Sequence, residues 1–146
     1  KLAKEQSNSF AAVAADDFLR FEKLFHLLYS KQKATTYGVY TKEGQLIASA
    51  VFFFSHSRAY YIMVGNHPNG KTLGASHALI NAFIKDHAGK ELMLDFEGSD
   101  AVSVAEFYKK FGASLEQYTT IYLNKLPFPF SLFKPLPAHY SSLISK

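Results

Sequence analysis

The chain has 146 residues, 48% of them apolar and none of them cysteine, with a formal net charge of +4. That length suits one domain burying roughly 70% of its unfolded surface, and the lack of thiols excludes disulfides, thiolate nucleophiles and cysteine metal sites. No apolar run approaches the roughly 20 residues a membrane span needs, and no charged-then-apolar leader opens the chain, so a soluble, cytoplasmic protein is expected.

From residue 9 to about residue 31, Phe10, Val13, Phe18, Phe21, Leu24, Phe25 and Leu28 recur at helical spacing, with Asp16, Asp17, Arg20 and Lys23 opposite. One long helix or two short ones are predicted. Residues 37–40, 46–54 and 59–64 read as three antiparallel strands, joined by turns at Lys42-Glu43-Gly44 and Ser55-His56-Ser57. Val51 to Phe54 are apolar without alternation, as in a strand covered on both faces.

The turn cluster Gly65-Asn66-His67-Pro68-Asn69-Gly70 then breaks the pattern, and Leu73, His77, Ile80, Phe83 and Ile84 predict a helix over 72–87. Ala88-Gly89 ends it, and Leu92, Leu94 and Phe96 alternate along a strand over 91–97. Strand, helix and strand in that order imply parallel pairing. Ser103 with Glu106 has capping-box spacing for a short helix. Val104, Phe107 and Phe111 line its apolar stripe, Tyr108 borders the buried face, and Gly112 suits a left-handed stop.

A last strand is expected over Leu115 to Asn124. Beyond it Pro127, Pro129, Pro135 and Pro137 alternate with Phe128, Phe130, Phe133 and Tyr140, which bars regular secondary structure. The expected organisation is therefore a single domain over 1–125 and an ordered proline-aromatic strap over 126–146.

Lys and Arg are scattered, so no nucleic-acid footprint is visible, although the positive charge favours a phosphate-bearing ligand. The six histidines lack metal-ligand spacing and no His-Glu-x-x-His helix occurs, so no metal site is expected. Gly74-Ala75-Ser76-His77-Ala78 ends in alanine where a serine-hydrolase elbow needs glycine.

Leu94-Asp95-Phe96-Glu97-Gly98, followed by Phe107-Tyr108-Lys109-Lys110-Phe111-Gly112, resembles the GNAT superfamily of N-acyltransferases, whose corresponding helix runs roughly Asn-x-x-Ala-x-x-Leu-Tyr-x-Lys-x-Gly-Phe. Ala101 stands at the Asn position and Val104 at the small one. The element order over about 37–124 is also the GNAT order. The resemblance implies an α/β (α+β) fold: a mixed central sheet with three N-terminal antiparallel strands, a strand-helix-strand parallel unit and flanking helices.

It further implies acyl-CoA, for instance acetyl-CoA, as cosubstrate, its pyrophosphate held by backbone amides at a helix start. The segment in question is Asn69, Gly70, Lys71, Thr72, Leu73, Gly74 and Ala75. The family's Gln/Arg-x-x-Gly-x-Gly/Ala signature would begin at Asn69, which leaves Thr72 at the first glycine, or at Lys71, which keeps Gly74 but leaves Ser76 at the end. Tyr108 is then the acid for the departing thiolate. Residues 59–64 hold no carboxylate, which leaves Glu97, Asp95 and His67, or a water chain, to take the amine proton.

Asp95, Phe96, Gly98, Phe107, Phe111 and Gly112 also fit the Fem-type and cellulose-biosynthesis-type (CelD-like) branch, which reads Asp-Phe-Gly-Gly and then Phe-Lys-x-Gly-Phe-Gly. That branch implies an aminoacyl-tRNA donor, a cell-wall precursor amine as acceptor, and a second GNAT-like half or a homodimer partner. The remaining alternatives are a small-molecule or peptide amine acceptor, and a domain that keeps the fold and binds without turnover.

Overall fold

Asp16 and Asp17 occupy the first turn of helix α1 (Ala15–Ser30), where the positive end of the helix dipole favours carboxylates. The computed structural model describes residues 15–97 and 102–117. It divides into two compact units, Lys1–Phe111 and Gly112–Lys146, and every described helix and strand lies in the first. Phe18, Phe21, Phe25 and Leu28 are the half-buried positions of α1, as the spacing predicts, whereas Leu24 is exposed.

Strands β1 (Ala34–Tyr40), β2 (Leu46–Ser55), β3 (Arg58–Asn66) and β4 (Met93–Asp95) form one sheet in the order β1-β2-β3-β4. The first three pair antiparallel and β4 joins β3 in parallel, matching the expected mixed sheet. His56 and Ser57 link β2 to β3 with φ of 48° and 56°, the left-handed pair that a tight two-residue hairpin of type I′ demands.

β2 is central, and its two faces explain the unbroken apolar run. Phe52 is fully buried and stacks 3.9 Å from Phe83 of helix α3 (Ala75–Asp86), while Phe53 stacks 5.6 Å from Phe21 of α1. Ile47, Ala48, Ala50, Ala59, Tyr61, Leu79 and Ile80 complete the core between sheet and α3. Ring stacking of this kind adds about 0.5–1.5 kcal/mol to the burial itself.

The expected helix over 72–87 is broken. Pro68 opens a short helix α2 (Pro68–Thr72), Gly74 turns left-handed at φ 66°, and α3 starts afresh at Ala75. The strand expected over 91–97 pairs only across Met93–Asp95, because Glu97 turns to φ 61°. Helix α4 (Val102–Lys109) begins before Ser103, which therefore lies in its first turn; Glu106 pairs with Lys109 at 2.6 Å. Gly112 has φ 81°, the left-handed stop that its sequence suggests. Leu115 to Gln117 form no strand. Residues 9–14, Gly98, Ala101, the rest of the expected last strand and the strap over 126–146 lie outside the described residues.

Tyr37 of β1 donates its hydroxyl proton to Asp86 Oδ2 at 2.8 Å, joining the sheet to the end of α3. Burial first, and then the carboxylate, push the phenol up to about 12. A folded-state value above the unfolded one near 10 gives stability that is complete below pH 10 and lost as the pH climbs toward 12. Urea unfolding at about pH 9 and about pH 11.5 should show a smaller alkaline loss in Tyr37→Phe than in the wild type.

Candidate active site

The parallel ladder between β3 and β4 is short. Arg58 pairs with Met93, Ala59 with Leu94 and Tyr60 with Asp95, and there it ends, while β3 continues to Asn66. On β3 the parting coincides with an irregularity: Tyr61 opposes Phe52 and Met63 opposes Val51, which leaves Ile62 as an extra residue. Such a bulge bends its strand and increases the local twist. On β4, Asp95 fixes the other edge. Its Oδ2 accepts from Arg58 Nη1 at 3.0 Å and its Oδ1 from the Glu97 backbone N–H at 2.9 Å, which holds the left-handed turn. Among the described residues, β3 from Tyr61 to Asn66 has no strand neighbour on that side.

The start of α3 lies beside the far end of this free edge, where Ser76 Oγ donates to Asn66 Oδ1 at 2.8 Å. No side chain caps the helix. His77 and Ala78 N–H groups return to the Gly74 carbonyl at 3.0 and 3.3 Å, whereas the Ala75 and Ser76 N–H groups meet no backbone carbonyl among the described residues. Unpaired amides at the positive end of a twelve-residue helix form a place for an anion, and no acid occurs between Gly65 and Phe83 to oppose one. The surface at Gly74 is open: among the described residues a Cβ there would meet only His77 Nδ1, at 3.9 Å.

The seven candidate phosphate-binding residues do not share one location. Asn69, Gly70, Lys71 and Thr72 belong to α2, Leu73 and Gly74 link the helices, and Ala75 opens α3. Gly70 is glycine for packing reasons, since a Cβ would sit 2.2 Å from the Ile47 carbonyl oxygen. Asn69 donates its N–H to His67 Nδ1 at 3.2 Å, and the His67 N–H bonds the Ile47 carbonyl, so His67 serves the turn.

Beside the last β3–β4 pair, Tyr108 of α4 is half-buried, stacks 4.3 Å from Phe96 and meets Tyr61 of β3 edge-on at 6.3 Å. Burial pushes the Tyr108 phenol above its ordinary value. Burial, and then the neighbouring Tyr108, push Tyr61 further still. His77 of α3 lies 4.6 Å from Phe107 and 5.7 Å from Phe111, so the helix bearing the open amides packs against the region bearing Tyr108. Glu97 is exposed next to the parting, while the Asp95 carboxylate is engaged by Arg58 and the Glu97 amide.

Sequence reasoning missed Tyr61, Arg58 and the Ser76–Asn66 link. Tyr61 follows Ala59 on the buried face of its strand, so its spacing marks it as core. A separate groove of about 950 Å³, whose lining includes Tyr29, Tyr37, Phe54, Asp86 and His87, gathers around the end of α3 and the start of β1 and contains none of the predicted site residues.

A comparison with curated protein sequences finds no significant relative. Among solved structures, the chain is similar to an inferred acetyl transferase from Pyrococcus furiosus, with 19% identity and a TM-score of 0.60 over 84% of this chain and 89% of that one. An inferred acetyltransferase from Clostridium acetobutylicum, solved with acetyl-CoA, has 14% identity and a TM-score of 0.63 over 84% and 85% of the two chains. A ribosomal-protein-alanine N-acetyltransferase from Brucella melitensis biovar Abortus 2308 has 14% identity and a TM-score of 0.55 over 84% and 90%. These likenesses are of fold. The family model described as an acetyltransferase (GNAT) domain matches residues 1–110, and the chain belongs to the GNAT acetyltransferase family.

Proposed function

We propose that the protein transfers an acyl group from acyl-CoA to a small-molecule or peptide amine. The observation that carries this reading is the early end of the β3–β4 ladder next to a helix start whose Ala75 and Ser76 amides meet no backbone carbonyl among the described residues, in a segment without an acid from Gly65 to Phe83. The residues present fit the cosubstrate: the Ala75 and Ser76 N–H groups and the open surface at Gly74 would receive its diphosphate. This favours the register that begins at Lys71 and passes through Gly74 and Ser76, with Asn69 supporting the turn through His67. When bound, acyl-CoA supplies an activated thioester.

The chain's own groups then handle protons. Tyr108, kept neutral by burial, gives its hydroxyl proton to the leaving thiolate, and Glu97, directly or through water, takes one from the attacking amine. Calorimetry with coenzyme A and acetyl-CoA tests the reading. Wild-type protein should bind both in the micromolar range, and Gly74→Glu should lose at least about 100-fold, because a carboxylate at this helix start opposes the diphosphate. No binding to the wild type removes the reading.

One observation favours a Fem-type variant. That branch has glycine where Glu97 stands, and Glu97 adopts the left-handed backbone, φ 61°, that glycine takes at least cost. Under that variant the donor is an aminoacyl-tRNA, and a charged tRNA, with affinity falling steeply with salt, would displace acetyl-CoA as the ligand of choice.

A further inference from the structure

The two phenols beside the last β3–β4 pair differ in depth. Tyr108 is half-buried, whereas Tyr61 is only 4% exposed. A tyrosine that deep ordinarily gives its O–H to a protein acceptor, since an unpaired buried hydroxyl costs on the order of 1–3 kcal/mol. Among the described residues Tyr61 has no such acceptor. Its ring packs on Phe52 at 5.2 Å, Phe96 at 5.9 Å and Tyr108 at 6.3 Å. No described side-chain oxygen is both sealed from solvent and unpartnered, so the Tyr61 hydroxyl keeps an opening to the outside. Phenylalanine would fill the same aromatic pocket without a polar atom to satisfy, so packing alone leaves the hydroxyl unexplained.

Position supplies a use for it. Tyr61 is the first residue beyond the last β3–β4 pair, next to the Ile62 bulge, while the open amides lie beside Asn66 at the other end of the free edge. That edge is roughly 17 Å long at about 3.3 Å per residue. A ligand anchored by its phosphates at the α3 start and laid along the edge brings its far end, the acyl thioester, to Tyr61.

We propose that the Tyr61 hydroxyl donates a hydrogen bond to the carbonyl oxygen of the bound thioester; this rests on the acyl-CoA reading above. As the amine nitrogen bonds to the carbonyl carbon, the carbon–oxygen π pair moves onto oxygen, where the Tyr61 O–H meets the growing negative charge. The pair returns as the carbon–sulfur bond breaks, and the thiolate takes its proton from Tyr108. Tyr61 keeps its own proton throughout, which its burial and its phenolic neighbour favour.

The test compares coenzyme A with acetyl-CoA by calorimetry on the full chain, wild type against Tyr61→Phe, a substitution that keeps the ring packing. Acetyl-CoA affinity should fall about 5- to 10-fold, as a lost hydrogen bond of ordinary strength requires, with coenzyme A affinity unchanged within about twofold. Infrared spectra of acetyl-CoA labelled at the carbonyl carbon should show the bound stretch at lower frequency in the wild type than in the variant. Equal affinity ratios and equal stretches overturn the inference and leave the acyl-CoA reading standing. Equal loss of both ligands overturns it too, by reducing Tyr61 to packing. If the wild type binds neither ligand, the acyl-CoA reading fails and the inference fails with it.

Discussion

Tyr108→Phe should lower kcat for acyl transfer by about 100-fold or more while leaving acetyl-CoA affinity within about twofold, the pattern of a group that acts only as the thiolate departs. Phenylalanine preserves the stack on Phe96 and the contact with Tyr61, so the fold has no reason to change. The hydroxyl it removes has no hydrogen-bond partner among the described residues. Burial raises the phenol above its ordinary value near 10, so the acid stays protonated across neutral pH and the rate should show no fall from this group between about pH 7 and about pH 9. Steady-state kinetics across that range, paired with calorimetry, checks both statements. Unchanged kcat in the variant would remove Tyr108 from the chemistry.

Among the glycines whose surroundings are described, Gly70→Ala should be the most damaging. The added carbon would lie 2.2 Å from the Ile47 carbonyl oxygen and 3.1 Å from its carbon, both backbone atoms of the central strand. Neither side yields easily, because the same oxygen accepts the His67 N–H at 2.9 Å and the Gly70 N–H is itself bonded to the His67 carbonyl at 2.8 Å. A loss of roughly 2–4 kcal/mol is expected, or a fall in Tm of about 6–16 °C. Gly74→Ala, four residues on, is the control: its surroundings are open and only the left-handed backbone resists, at a cost of about 1 kcal/mol. Thermal unfolding followed by circular dichroism distinguishes the two. Equal effects would mean that α2 does not rest on β2 as described.

These two glycines show why local reading reached its limit in the segment 69–75. Both sit in one turn-rich stretch and look alike in sequence, yet one is fixed by a strand that lies more than twenty residues away and the other by its own backbone angle. The same holds for the helix expected over 72–87, whose apolar spacing was legible through Ile80 and Phe83 but whose break at Gly74 was not. A glycine inside a periodic pattern reads as a tolerated interruption until its φ is known.

By itself the sequence determined the antiparallel hairpins, the crossover into a parallel strand, the apolar run at Val51 to Phe54 that is covered on both faces and the α4 stop at Gly112. Each of these is set by spacing and turn chemistry within a few neighbouring residues. It also placed Tyr108 at the edge of a buried face, since one helical turn fixes which side a residue takes. Only the tertiary structure decided where the β3–β4 ladder ends, that Ile62 bulges there, that Arg58 and Asp95 hold the other edge, and that Tyr61 faces Tyr108. Those features depend on register between strands joined by a helical crossover, and a register is fixed by the packing of both faces at once, which no single segment encodes.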